Sequence, residues 1–314
     1  MRYELPPFRP PNEARSILLR ATRGCPWNRC TFCSMYKGTR FQFRPTEEIL
    51  EDIRTLRRAA DVVTEYAQES GHGVDEVALA NGMLWLTKEG VKTAFIGDSN
   101  SLIMPVGDLA RVVSNLRERF PTLERVTCYA RAHTVLHRKP EDLRLLQEAG
   151  LTRLHLGLES GDTQVLERVQ KGVGPEQAIE AGRRVREAGL SLSEYVIIGL
   201  GGRELSAQHA QGTAQVLNAV DPDFIRVRTL MLEEGAPLAE EYERGEFHPL
   251  DAVGLLAEER DMVAALEVHS QFVSDHFSNR VNLEGRLPEA KAQFLDQLDT
   301  AIGVVRQRAR ARAN

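Results

Sequence analysis

Three thiols within nine residues are the sharpest chemical feature of the chain: Cys25-Pro26-Trp27-Asn28-Arg29-Cys30-Thr31-Phe32-Cys33. Thiolates select soft metals, meaning zinc, copper(I) or an iron–sulfur cluster. A structural zinc site takes four ligands. This segment supplies three, no histidine precedes His72, and the remaining cysteine, Cys128, lies far downstream. Three cysteines on a four-iron cluster instead leave one iron open to a substrate or cofactor. The alternatives are a zinc site completed by a remote ligand, and three unrelated buried thiols. Arg23 just before the run and Arg29 within it favour deprotonated sulfur.

Other residues have weaker claims. Arg226 and Arg228 are two apart on an expected strand and share a face, which suits a carboxylate or phosphate; salt bridges to helices explain them equally well. Cys128, Tyr129 and Arg131 lie around the end of another strand, where a buried thiol is ordinarily inert core. His276 belongs to a polar, aperiodic segment, 274–280, and its default reading is a surface histidine. His133 and His137 have the spacing of two metal ligands on a helix.

The elements that must position these groups alternate. Residues 16–21 read as a strand running into Gly24-Cys25. Pro45-Thr46-Glu47-Glu48 opens a helix, Ile49, Ile53, Leu56, Ala60 and Val63 follow at helical spacing, and Gly71 and Gly73 end it. Residues 74–90 are expected to form a short helix ending near Gly90. Strands follow at 93–97, 125–130, 153–158, 193–198 and 224–230. The helices among them cover 106–120, 141–149, 162–169, 175–188 and 207–219. Six strands mostly separated by helices argue for parallel pairing with right-handed crossovers, an α/β partial barrel short of eight units. Such sheets place ligands at the C-terminal ends of their strands. The expected organisation is an arm at 1–15, a core at 16–235 and a helical C-terminal cap at 236–314. Within the cap, 238–270 reads as helical, 273–287 as irregular and 288–308 as a helix with a frayed basic tail.

At this point the chain resembles the radical S-adenosylmethionine (SAM) superfamily, whose members carry three cysteines on the loop after the first strand of a partial six-stranded barrel. The usual spacing is three residues and then two; here it is four and then two. The resemblance implies a [4Fe-4S] cluster on Cys25, Cys30 and Cys33, with S-adenosyl-L-methionine on the remaining iron. It places Phe32 near the adenine. Gly97, Asp98 and Ser99 follow the second strand where the family binds the amine of SAM, although the sequence is not a literal Gly-Gly-Glu. An ammonium there needs oxygen acceptors; a polar loop capping the next helix is the alternative for Asp98. Glu159 and Ser160 would reach the ribose or carboxylate side, and a structural pair between Glu159 and a basic residue competes with that role. Ile198 and Gly199 would line the adenine. The run Gly199-Leu200-Gly201-Gly202 lacks the third glycine of a dinucleotide fingerprint. The nearest pattern is an uncharacterised branch related to the methylthiotransferase-like subgroup. The implied activity is reductive cleavage of SAM to a 5′-deoxyadenosyl radical that abstracts hydrogen, with Cys128 and His276 as catalytic candidates and reduced flavodoxin or ferredoxin as donor.

Composition bounds the rest. The 314 residues are 42% hydrophobic and 27% charged, with 40 basic against 45 acidic side chains and a formal charge of −5. A general polyanion-binding surface is not expected, so nucleic acid is disfavoured and a small or medium-sized molecule is the expected substrate. No apolar run suits a membrane span, no signal-peptide core opens the chain, and four cysteines exclude a disulfide-stapled domain. A cytoplasmic protein is expected. With about 15 residues before the first strand, no second cysteine group and a helical C-terminus, neither a cobalamin domain, an auxiliary cluster nor an RNA-binding β-domain is expected. The competing readings are an iron–sulfur electron carrier or sensor that never cleaves SAM, and a zinc-stabilised binding module.

Overall fold

A computed structural model describes residues 3–313. The chain divides into two compact units, one comprising residues up to 26, 39–155 and 188–190, the other 27–38, 156–187 and 191 onward. In the first unit β1 (Ile17–Arg20) is followed by two-residue strands β2 (Thr22–Arg23) and β3 (Gln42–Phe43). These pair antiparallel, Thr22 opposite Phe43 and Arg23 opposite Gln42. Helix α1 (Thr46–Ser70) starts after Pro45 with Glu47 and Glu48 against the positive end of its dipole. It stops at Gly71, whose φ of 73° is left-handed. Its buried stripe, Ile49, Ile53, Leu56, Ala60 and Val63, is the one the spacing predicts. Then come α2 (Val74–Ala80), β4 (Thr93–Gly97), α3 (Val106–Arg119), β5 (Arg125–Ala130), α4 (Ala132–His137) and α5 (Pro140–Glu148). Strand β4 runs parallel to both β1 and β5, with Leu19 opposite Ile96 and Ile96 opposite Cys128.

Strand β6 (Arg153–Glu159) crosses the division after His155. In the second unit, α6 (Thr163–Arg168) is capped by Asp162, whose carboxylate accepts the Val165 N–H at 2.9 Å. Next follow α7 (Pro175–Glu187), β7 (Ser191–Ile198), α8 (Ser206–Val220) and β8 (Phe224–Thr229). The chain ends with α9 (Pro237–Glu243), α10 (Ala252–Ala265), β9 (Gln271–Val273), β10 (Glu284–Arg286) and α11 (Lys291–Ala313). Strands β7, β8 and β9 are mutually parallel neighbours and β10 returns antiparallel to β9.

Strands occur at all six positions the pattern predicts. Several connections differ from expectation. The helix after Gly73 ends at Ala80, where Asn81 bonds back to the last turn, and 81–90 is a series of turns. Residues 238–270 form two helices interrupted near Gly245, whose φ is 72°. The segment read as irregular contains β9 and β10, each three residues long and held by sheet pairing, not by its own periodicity. The basic C-terminal run continues α11 as helix to Ala313. The N-terminal arm is fastened: Glu13 is buried, and Arg125 Nη2 reaches both its oxygens at 2.9 Å. Among the described residues no helix is long and apolar enough to cross a membrane.

Candidate cluster and cofactor site

The cysteine loop, residues 24–41, leaves and re-enters the first unit through the β2–β3 ladder. Arg44 N–H adds a bond to Ala21 O at 3.1 Å, closing the base. Gly24 stands at the entrance with φ 79°, and a Cβ there would lie 3.2 Å from Arg40 O. Glycine therefore satisfies both the backbone conformation and the close approach of the two loop ends. Asp98, buried at the end of β4, accepts the Gly24 N–H at 3.0 Å and Arg20 Nη2 at 3.0 Å through one oxygen. Ser99 donates its hydroxyl to Gly24 O at 2.8 Å. Asp98 and Ser99 thus both bond to the residue before Cys25, while Gly97 O accepts the Ala21 N–H at 2.6 Å.

An ionic network lies behind this base. Glu4 pairs with Arg20 at 3.0 Å, Arg23 at 2.6 Å and Arg44 at 3.3 Å, and Arg44 reaches Asp52 at 2.7 Å. The bond from Arg23 holds the Glu4 carboxyl below its ordinary value, whereas burial raises that of Asp52 against the pull of Arg44. Arg23, expected to favour thiolate, is committed to Glu4. None of these acids was a sequence candidate. Each salt-bridge partner is distant in sequence or placed in the arm, and no spacing announces it.

The loop tip, residues 27–38, packs within the second unit. Thr31 N–H bonds to Val169 O at 3.0 Å, and Thr31 O accepts the Leu238 N–H at 2.9 Å. Trp27 Nε1 donates to Gln170 O at 2.7 Å, and its ring fills the space over Gly172, where a Cβ would meet it at 2.3 Å. Lys37 Nζ holds Asn28 O at 2.9 Å and Cys30 O at 3.1 Å. Arg29 lies 5.0 Å from the Trp27 ring centroid. Phe32 packs against the apolar cluster of Val165, Val169, Leu200, Leu238 and Phe247, in which Ile197 also takes part.

The β6 and β7 ends are brought together in the same unit. Ser160 Oγ contacts His209 Nδ1 at 2.8 Å, and His209 Nε2 lies 3.5 Å from Glu258 Oε1. Glu258 in turn accepts the Gly199 N–H at 2.5 Å. All four residues come from separate elements, so no sequence motif could reveal the chain. Burial pushes His209 down to about 4 and Glu258 up to about 7, so near pH 7 the imidazole is neutral and Glu258 is divided between its two forms. Gly199 has φ 89°, next to buried Ile198. Glu159 has φ 64° and accepts Lys171 Nζ at 2.7 Å, its side chain folded over Gly157.

The two catalytic candidates differ in setting. Cys128 is wholly buried on β5, and desolvation pushes its thiol up to about 12. His276 is half-buried; its Nδ1 meets Ser278 Oγ at 2.7 Å and the Ser278 N–H at 3.3 Å, leaving the ring proton on Nε2 when neutral. Burial and then Arg228 lower its pKa. His133 and His137 stack at 4.1 Å between centroids, and His137 Nδ1 bonds to His133 O.

The donor set fits an iron–sulfur cluster. Cys25, Cys30 and Cys33 are half-buried thiols on a loop that carries Arg29, Lys37 and Arg40 but no carboxylate or imidazole. That charge favours an anionic thiolate-bound group. Among the described residues no three or more His, Cys, Asp or Glu side chains gather as a single-ion site. A cubane takes one thiolate per iron and does not require its cysteines to meet at one point.

Comparison with known proteins places the chain. The family model of the radical SAM superfamily matches residues 19–211, and the chain belongs to that superfamily, whose members bind a [4Fe-4S] cluster and SAM. It is similar to a radical SAM methyltransferase, TsrM, from Kitasatospora setae, at 17% identity and TM-score 0.53 over 95% of this chain and 55% of that one. Against the archaeal Elp3 of Methanocaldococcus infernus the values are 15% and 0.50, over 74% and 57%. These likenesses show the fold, the α/β partial barrel of radical SAM enzymes. Among curated proteins, a tRNA uridine(34) acetyltransferase of Methanocaldococcus infernus is 25% identical over 111 residues, 35% of this chain and 21% of that protein. A methyltransferase of uncharacterised role from Pyrococcus horikoshii is 25% identical over 206 residues, 65% of this chain and 37% of that protein. The chain spans about a fifth to two fifths of the length of the curated relatives it matches.

Proposed function

We propose that Cys25, Cys30 and Cys33 hold three irons of the cluster, that SAM occupies the fourth, and that the pair serves hydrogen abstraction from a small or medium-sized substrate. The observation that carries this reading is the loop: three thiols, a cationic surround, and a base fastened by protein contacts alone. When bound, the cluster and SAM supply a one-electron cleavage whose product removes hydrogen from an unactivated carbon. The chain's own residues orient and enclose. Gly97 and Ser99 offer acceptors to the amine of SAM, while Asp98 acts through Gly24 as the strut of the loop entrance. Ser160, held by His209, and Glu159, neutralised by Lys171, face the ribose and carboxylate side. Phe32, which packs against the apolar cluster that includes Ile197, is assigned to the adenine together with Ile198 and Gly199. His276 is assigned to the substrate side, and Cys128, wholly buried, to the core beneath β5. Residues 16–235 carry the cofactors, 236–314 close over the substrate, and reduced flavodoxin or ferredoxin delivers the electron.

The relatives named for tRNA chemistry share only a third of this chain, and a formal charge of −5 favours a substrate without a polyanionic backbone. The test is anaerobic reconstitution, with iron and sulfide assays, electron paramagnetic resonance with and without SAM, and detection of methionine and 5′-deoxyadenosine after reduction. About four irons per chain, a spectrum altered by SAM and both products are expected. Zinc in place of iron would overturn the reading. A cluster indifferent to SAM would make the protein an electron carrier.

A further inference from the structure

The second unit carries a cationic pair that neither the cysteine loop nor the SAM-facing residues use. On β8, Ile225 is in register with Phe272 of β9, whose ring centroid lies 5.5 Å from that of Phe294 on α11. That is the helix-covered face. Alternation turns Arg226 and Arg228 to the opposite face, in register with Tyr195 and Ile197 of β7. The Arg228 guanidinium stands 5.0 Å from the Tyr195 ring centroid. Arg226 is only 8% exposed, and its Nε is buried without a hydrogen-bond partner. Among the described residues no carboxylate forms an ion pair with either arginine, which removes the salt-bridge explanation for the pair. Glu194, one residue along β7, is in register with Ile225 and so turns to the other face, and burial raises its carboxyl well above the ordinary value.

The strand end beside them is roofed. Residues 274–283 form a loop closed by the Ser274 N–H to Leu283 O bond at 2.8 Å. Ser278 Oγ accepts the Thr229 N–H at 3.1 Å, and Asn279 Nδ2 donates to Val227 O at 2.8 Å. His276 in this loop is near enough to Arg228 to feel its charge, and neighbouring Phe277 is 80% exposed. A buried guanidinium without a counter-charge is unfavourable, and its planar fork matches a two-oxygen anion.

We propose that Arg226 and Arg228 form an oxyanion subsite for the substrate, taking its carboxylate or phosphate group beneath the 274–283 loop. The assignment to substrate, as distinct from SAM, rests on the radical SAM reading above. The test uses anaerobically reconstituted protein and isothermal titration calorimetry with inorganic phosphate and, separately, acetate, each with and without SAM. Saturable binding of one anion is expected, and which one binds distinguishes a phosphorylated from a carboxylated substrate. Arg228→Gln, at a half-buried position, should weaken that binding at least about tenfold, and R228K should retain part of it. SAM affinity by equilibrium dialysis should stay within about twofold in both variants, a negligible free-energy change. Failure of the wild type to bind either anion overturns the subsite, as does wild-type anion affinity in R228Q. Loss of SAM affinity in R228Q overturns it by giving the arginine to SAM's own carboxylate. Anion binding by a protein that does not bind SAM would sustain the subsite and sink the radical SAM reading instead.

Discussion

The four cysteines occupy two chemical environments, and their reactivity should separate accordingly. Desolvation holds Cys128 near 12, so at pH 8 its thiolate fraction is on the order of one in ten thousand. Iodoacetamide on metal-free folded protein should label Cys25, Cys30 and Cys33 and leave Cys128 unmodified until denaturant is added, as peptide mass spectrometry would show. Equal labelling of all four would contradict the burial. C128A should cost about 1–2 kcal/mol in denaturant unfolding and leave reconstituted iron unchanged. C30A or C33A should lose most of the iron while the far-ultraviolet circular dichroism persists, because the loop base is built without either residue.

The element that decides the site's geometry is the loop base. D98N removes one of the two carboxylates facing Arg20, Glu4 being the other, and weakens the hold on Gly24. We expect a lower denaturation midpoint and slower recovery of iron on reconstitution; unchanged values for both would show that Asp98 is not the strut. G24A meets Arg40 O at a φ hostile to alanine and should lower iron occupancy with little change in helix content. At this scale the sequence was partly legible. The thiol spacing, the strand before it and the Gly97–Ser99 turn after β4 follow from local pattern, since each is contiguous and carries its own periodicity or turn signal. The β2–β3 ladder, the ionic network around Glu4 and the Ser160–His209 and Gly199–Glu258 bonds do not. Two-residue strands have no period, and pairs such as Glu4–Arg44 or His209–Glu258 exist only once distant segments meet. Strands β9 and β10 were hidden for the same reason.

For the whole molecule, buried acids set the dependence of stability on pH. Burial raises the Glu259 carboxyl from 4.5 to about 7, although the Ser274 hydroxyl donates to it at 2.9 Å. Between those values the folded state holds a proton that the unfolded chain has released. Stability from this group is therefore full below about pH 4.5, falls as pH rises and is gone above about 7, a change of about 3 kcal/mol. E259Q keeps an acceptor and cannot ionise. Urea unfolding should show the variant gaining on the wild type between pH 5 and pH 8; parallel curves would place the Glu259 pKa near its ordinary value.

The ladder that ties Arg23 to Gln42 also bears on how such a site changes over generations. With both ends of the loop pinned by the scaffold, an inserted residue must only be absorbed inside residues 24–41. Lengthening a closed segment of that size by one residue alters its closure entropy by less than about 0.1 kcal/mol. Cysteine spacing at this position is therefore nearly neutral to closure of the loop, provided that the contacts of Trp27, Thr31 and Lys37 are kept and the proposed ligand sulfurs still reach the cluster. The four-residue gap between Cys25 and Cys30 is a change the scaffold would scarcely register.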